Sequence, residues 1–162
     1  MGGTLAVLGI GSNKGNSRYI IMESIRGMFD FISDLRMASL YETEPMYVTE
    51  QPMFLNTAVA GYFQGSAPAL LEKVNSLEAL FGRNRAEEQR YGQRSLDIDI
   101  LLFGNEIISD PPKLIIPHER LAERAFALIP LLELLPDARD PKTGKPYKEF
   151  LDALPDQGVM KI

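Results

Sequence analysis

The stretch Arg94-Ser95-Leu96-Asp97-Ile98-Asp99-Ile100-Leu101-Leu102-Phe103 constrains this chain more than any other. Apolar and acidic residues alternate through it, and a period of two belongs to a strand, where successive side chains leave opposite faces. Leu96, Ile98, Ile100 and Leu102 then form one apolar face, while Asp97 and Asp99 share the other, which turns apolar again at Leu101 and Phe103. Two carboxylates side by side on a largely buried strand repel each other unless positive charge lies between them. Mg2+, a hard cation held by one or two carboxylates plus phosphate oxygens, meets that need. A solvated strand end, its Asp-x-Asp pair simply facing water, meets it equally well, and the residues alone leave both readings open.

Immediately upstream, Arg83, Arg85, Arg90 and Arg94 fall within twelve residues. Guanidinium forks clamp phosphate oxygens bidentately, so arginines beside a carboxylate pair suit a metal–polyphosphate complex. The plainer reading is a charged exposed loop in which Glu87 and Glu88 pair with them. The overall charge of −5 argues against broad binding to nucleic acid but does not decide the local question. Cysteine is absent, which excludes disulfides, thiolate metal sites and a cysteine nucleophile.

The 162 residues, 45% of them hydrophobic, are expected to form one domain spanning 1–162. The first apolar run ends by Ile10, too short and too glycine-flanked for a membrane span or signal peptide, so a cytoplasmic location is expected. Residues 5–10 read as a buried strand. Asn16 or Ser17 then caps a helix with Ile21, Ile25, Met28, Phe29 and Ile32 on its apolar face. Residues 35–43 read as strand and 54–63 as a second long one, with Leu55, Thr57 and Val59 on one face. Ser66-Ala67-Pro68 opens a helix whose stripe is Leu70, Leu71, Val74, Leu77 and Phe81, and Gly82 stops it. The aspartate strand follows over 95–103, with a hairpin turn at Gly104-Asn105 leading into 106–108. A short helix over 121–129, a break at Pro130 and a helical piece near 148–154 complete the chain. The order β-α-β-β-α-β with a C-terminal extension predicts an α+β, ferredoxin-like antiparallel sheet with helices packed on it, a fold that by itself says little about function.

Arg90-Tyr91-Gly92-Gln93-Arg94-Ser95-Leu96-Asp97-Ile98-Asp99-Ile100-Leu101-Leu102-Phe103-Gly104 resembles the signature of the 6-hydroxymethyl-7,8-dihydropterin pyrophosphokinases of folate biosynthesis. Gly9-Ile10-Gly11-Ser12-Asn13, Tyr41-Glu42-Thr43-Glu44-Pro45, Gln51-Pro52 through Asn56, and Ile116-Pro117-His118 followed by Arg124 and Phe126 agree in order and spacing, over residues 5–136. The resemblance implies a ferredoxin-like fold and transfer of pyrophosphate from ATP to the pterin hydroxymethyl group. Asp97 and Asp99 would hold two Mg2+ ions, and Arg83, Arg85, Arg90 and Arg94 would be loop arginines, Arg90 and Arg94 on the phosphates. Asn75, Glu78, Tyr91, Ile100, His118 and Arg124 would contact ATP. Thr43, Glu44, Pro45, Met46, Phe54, Asn56, Asp97 and Phe126 would line the pterin site, the two phenylalanines stacking on the ring.

Each role has an ordinary counterpart. Phe54 and Phe126 also read as core, His118 as a surface histidine after a proline, and Asn75 and Glu78 as a solvated helix edge. Asn56 sits mid-strand, where an amide suits an apolar core poorly but matches a pterin edge. Members of the family usually carry Trp at Tyr91 and Pro at Gln93, a difference that bears on the loop before the aspartates. Residues 44–53 and 84–93, polar and beside the proposed site, are expected to close over bound substrates. The alternatives are another two-metal nucleotidyl or phosphoryl transferase and a non-catalytic metabolite-binding module of the same fold. ATP and the pterin are the expected partners, with no membrane or nucleic acid, and the chain is expected to act as a monomer.

Overall fold

The computed structural model describes residues 2–45, 50–82 and 95–162. Five of the expected elements appear with small boundary changes: β1 (Thr4–Ser12), α1 (Ser17–Met28), β4 (Phe54–Phe63), α2 (Ala67–Leu80) and β5 (Asp97–Phe103). The Asn16 side chain accepts from Tyr19 N–H and caps α1, and Ser66 accepts from Ala69 N–H at the start of α2. Gly82, at φ +78°, takes the left-handed conformation that ends α2.

The expected strand over 35–43 is two strands, β2 (Ile32–Met37) and β3 (Tyr41–Thr43), which pair with opposite ends of β4. The break at 38–40 is held from the far face of the sheet. Glu133 accepts from Ser39 N–H, from Ser39 Oγ and, at 2.7 Å, from Tyr41 Oη. Burial would raise the Glu133 carboxyl, yet these bonds hold it below its ordinary range, and burial first, then the bond to Glu133, pushes Tyr41 up to about 12.

All pairings are antiparallel, in the order β5-β1-β4-β3, with β2 continuing the β3 edge. That is the ferredoxin-like arrangement. A further strand, β8 (Val159–Lys161), which periodicity did not reveal, adds to the free side of β3. It is too short to carry a pattern and owes its form to the partner's open ladder.

The sheet has a core on each side. Ile21, Ile25 and Met28 of α1 and Leu70, Val74 and Leu77 of α2 pack on one face. The C-terminal extension covers the other through α3 (Ala125–Leu134), α4 (Tyr147–Ala153) and a 3-10 turn (Leu121–Glu123), burying Leu121, Leu128, Leu131 and Tyr147. Among the described residues no helix is long and apolar enough to cross a membrane.

Four expectations are corrected. Phe29 lies past the end of α1 and is 63% exposed, and Ile32 opens β2 instead of closing the helix. Pro130 does not break α3. It removes one helical hydrogen bond at a cost of about 3 kcal/mol, while burial of Leu128 and Leu131 gains about 1.5–3 kcal/mol each, and the proline ring is buried with them. The segment after Gly104 does not fold back on β5. Instead β6 (Ile108–Asp110) pairs with β7 (Leu114–Ile116) across a turn at Pro111-Pro112, because Leu114 and Ile116 then bury in the first core.

The fourth concerns the aspartate strand. Val7 pairs with Leu102 but Leu8 pairs with Ile100, so Leu101 is an extra residue, a β-bulge, and alternation restarts beyond it. Phe103 therefore joins Ile98 and Ile100 in the α1/α2 core, and Leu102 joins Leu101 in the other, the reverse of strict alternation. Since adjacent residues are buried on opposite faces, Leu102→Ala and Phe103→Ala should each destabilise the protein by about 2–5 kcal/mol in urea unfolding. A loss below about 1 kcal/mol at either position would contradict its burial in a core.

Candidate active site

Register across the sheet assembles the site. Gly11 of β1 lies opposite Asp97 on one side and Asn56 on the other, and Gly9 lies opposite Asp99 and Ala58. Directly paired residues share a face, so both aspartates and Asn56 project to the same side. The two glycines between them leave a floor without side chains. A Cβ on Gly11 would stand 2.8 Å from Asn56 Oδ1, and one on Gly9 3.3 Å from Leu101. Mid-strand glycines of this kind mark a close approach. They were in plain view in the sequence, yet their meaning needed the register.

Above the floor is a cleft of about 950 Å3, its open mouth included. β3 and β4 supply Thr43, Phe54 and Asn56, β5 supplies Asp97, Asp99 and Leu101, and Arg124, Phe126 and Ala127 come from the start of α3. Glu44 and His118 complete the wall. Of the residues expected from sequence, Thr43, Glu44, Phe54, Asn56, Asp97, Asp99, His118, Arg124 and Phe126 are brought together here. Leu101 and Ala127 were not foreseen, because a leucine and an alanine carry no chemical signal.

Polar contacts give the cleft two characters. On the β3–β4 side, Asn56 Nδ2 donates to Thr43 Oγ1 at 2.9 Å, which fixes a buried amide. Phe54 and Phe126 add aromatic surface, and the Arg124 guanidinium carbon lies 5.4 Å from the Phe126 ring centroid. On the β5 side, His118 Nε2 is 3.7 Å from Asp99 Oδ1. His118 N–H donates to Leu101 O, and His118 Nδ1 accepts from Arg120 N–H. The proton of the neutral ring therefore sits on Nε2, facing the aspartates.

Arg124 Nε is buried with no hydrogen-bond partner among the described residues. A buried N–H without an acceptor is costly unless a ligand supplies one.

Other expected positions lie elsewhere. Asn75 is exposed on α2, Pro45 lies at the loop entrance outside the cleft, and Ile100 is buried in the α1/α2 core. Glu78 is no solvated helix edge. It is 2% exposed, and its Oε2 accepts from Ile98 N–H at 2.9 Å, tying α2 to β5. Met46, Arg83, Arg85, Arg90, Tyr91 and Arg94, and the loop centres expected to close, lie outside the described residues.

Two outcomes follow from this geometry. Gly11→Ala should keep its unfolding midpoint within about 5 °C of wild type yet displace the Asn56 amide from Thr43, shifting the Asn56 side-chain NH2 resonances in an NMR spectrum. His118 is held below its ordinary pKa, first by burial and then by Arg124, against a smaller opposing pull from Asp97. The unfolded chain thus takes up a proton on this ring at higher pH than the folded one, and stability falls as pH drops below about 6.5. Replacing His118 by Gln should flatten the loss of thermal midpoint between pH 7 and the lowered folded value.

A family model described as 7,8-dihydro-6-hydroxymethylpterin-pyrophosphokinase (HPPK) matches residues 7–136. A 2-amino-4-hydroxy-6-hydroxymethyldihydropteridine pyrophosphokinase of Pseudomonas aeruginosa is 36% identical, covering 94% of this chain and 93% of its own length. A folate synthesis bifunctional protein of Arabidopsis thaliana is 48% identical over 80% of this chain but only 26% of its own length. This chain spans about a quarter of the length of the first curated relatives it matches. In structure it is similar to Plasmodium falciparum HPPK-DHPS crystallised with pteroate, at a TM-score of 0.71 and 16% identity, covering 92% of this chain and 42% of that one, which supports the fold. With a match over 130 of its residues and a near full-length relative at this identity, the chain belongs to the 7,8-dihydro-6-hydroxymethylpterin-pyrophosphokinase family.

Proposed function

We propose that the chain transfers the pyrophosphoryl group of ATP to the hydroxymethyl oxygen of 6-hydroxymethyl-7,8-dihydropterin, with residues 1–162 forming one pyrophosphokinase domain of folate biosynthesis in the cytoplasm. The observation that carries this reading is the row Asp97–Gly11–Asn56, which sets a carboxylate beside an amide-and-aromatic pocket across a bare backbone floor. The pterin would lie between Phe54 and Phe126 with its polar edge on Asn56 and Thr43. Its hydroxymethyl group would then point along the floor toward the aspartates.

In the reaction the hydroxymethyl oxygen forms a bond to the β-phosphorus of ATP. The bond from that phosphorus to the oxygen bridging to the α-phosphorus breaks, AMP leaves with that oxygen, and the hydroxyl proton is lost to solvent. No protein nucleophile is required, so positioning and charge neutralisation carry the rate. Arg124, whose buried Nε has no partner among the described residues, would meet a phosphate oxygen. The neutral His118 would offer its Nε2 proton without adding a charge. ATP reaching Asn75 would cross the edge of the sheet at β5, where Ile100 lies. Arg83, Arg85, Arg90, Tyr91 and Arg94 would cover the phosphates and nucleotide, on the strength of their sequence positions.

Mg2+ fits the donors present. It takes one or two carboxylates and completes its octahedron with phosphate oxygens and water. Among the described residues no group of three or more acidic or histidine side chains gathers around one point, so Asp97 and Asp99 would hold it, two ions being expected, only together with ATP. Bound there, the ions would neutralise charge on the transferring phosphates.

AMP release with ATP, Mg2+ and 6-hydroxymethyl-7,8-dihydropterin tests the reading. Pterin-dependent AMP is expected, falling more than about 100-fold in Asp97→Ala and Asp99→Ala, a larger loss than residues that merely orient metal ligands cause. Pyrophosphate in place of AMP would point to a nucleotidyl transferase. Pterin binding that is unchanged in both variants, without turnover in the wild type, would point to a binding module.

A further inference from the structure

Helix α3 begins at an awkward residue. Its N-cap is Arg124, whose side chain makes no capping bond, and a guanidinium has no acceptor with which to make one. The first N–H groups of a helix need acceptors, ordinarily from a Ser, Thr, Asp or Asn at that position. Here the acceptor arrives from the far end of the sequence. Gln157 Oε1 accepts from Ala125 N–H at 2.8 Å, and Gln157 Nε2 donates to Glu123 O at 3.1 Å. One carboxamide thus brackets the backbone on both sides of Arg124.

The same segment reaches the opposite wall of the cleft. Asp156 Oδ1 accepts from Gly158 N–H, and Gly158, at φ +71°, turns the chain close to the Glu44 side chain. Val159 then pairs with Thr43 in the β3–β8 ladder. Residues 156–159 therefore join the start of α3, which carries Arg124 and Phe126, to the end of β3, which carries Thr43. Gln157 lies beyond the residues that the family model covers.

We propose that Gln157 is a positioning residue for the reaction, holding the backbone on both sides of Arg124 and so keeping the Arg124 guanidinium in the cleft. It acts through Arg124 and touches no substrate. The inference rests on the proposed function in one respect, that Arg124 engages ATP. A cap made by the N-cap side chain itself would fold that side chain back onto the helix. Holding the backbone from a distant segment leaves the Arg124 side chain free of a capping role, with its Nε without a partner among the described residues.

A double-mutant cycle separates this from ordinary stabilisation. Wild type, Gln157→Ala, Arg124→Ala and the double variant are compared by AMP release for kcat and for KM of ATP, and by calorimetry for the affinity of a non-hydrolysable ATP analogue with Mg2+. Gln157→Ala should lower kcat/KM for ATP and weaken analogue binding by about tenfold, the result of a small misplacement of one group. In the Arg124→Ala background the same change should cost less than about threefold. Gln157→Glu keeps the acceptor for Ala125 N–H but loses the donor to Glu123 O. It should fall between the wild type and Gln157→Ala, and it replaces Gln157→Ala in the cycle if that variant does not fold. Equal losses with and without Arg124 would overturn the proposal, as would a lowered unfolding midpoint with unchanged ATP kinetics and affinity. A wild type that makes no AMP would sink the proposed function itself, a result distinct from either.

Discussion

The backbone ladder that places β1 between β4 and β5 is the constraint on which the cleft depends. β1 has neighbours on both sides, so its register fixes two other strands at once. Because it carries glycine at positions 9 and 11, the aspartates of β5 and the amide of β4 face each other across bare backbone. A larger residue at position 11 would run into Asn56, and a one-residue slip would turn Asp97 and Asp99 into the α1/α2 core. The bulge at Leu101 confines that alternation to the strand's first half. It lets Ile100 and Phe103 serve one core while Leu101 and Leu102 serve the other.

Around this fixed sheet the movable choices concern walls. β3 is only three residues long, Tyr41–Thr43, too short to hold itself. It is gripped from both sides, by Glu133 of α3 through Ser39 and Tyr41 and by β8 along its outer edge. The α3 end of the cleft relies on Gln157 in the same way. The site thus combines a floor set by regular pairing with walls set by a few long-range hydrogen bonds to backbone, and those bonds all involve the C-terminal extension.

Much of this was legible beforehand. The order of strands and helices, a cap at Asn16 or Ser17, the cap at Ser66, the stop at Gly82 and the acidic face of the aspartate strand follow from local chemistry. So does the set of polar and aromatic residues that meet in the cleft, through family resemblance and the oddity of an amide in a strand. Misread positions share a cause. Phe29, Leu102 and Phe103, the continuous helix at Pro130, and the β6–β7 hairpin were each decided by what packs against them. Packing also rules out the solvated-edge alternative for Glu78, a buried glutamate whose carboxylate accepts from a backbone N–H of β5.

The sequence alone determined the fold class, because periodicity and capping are local properties, and the family, through motifs that resemble those of its members. Tertiary structure alone decided that Gly9 and Gly11 form the floor, that Leu101 is a bulge, and that β8 completes the sheet. It also decided that a glutamine 33 residues after Arg124 caps the helix Arg124 begins. Those facts depend on which backbone groups remain unpaired once the sheet is assembled, and no window of sequence contains both partners.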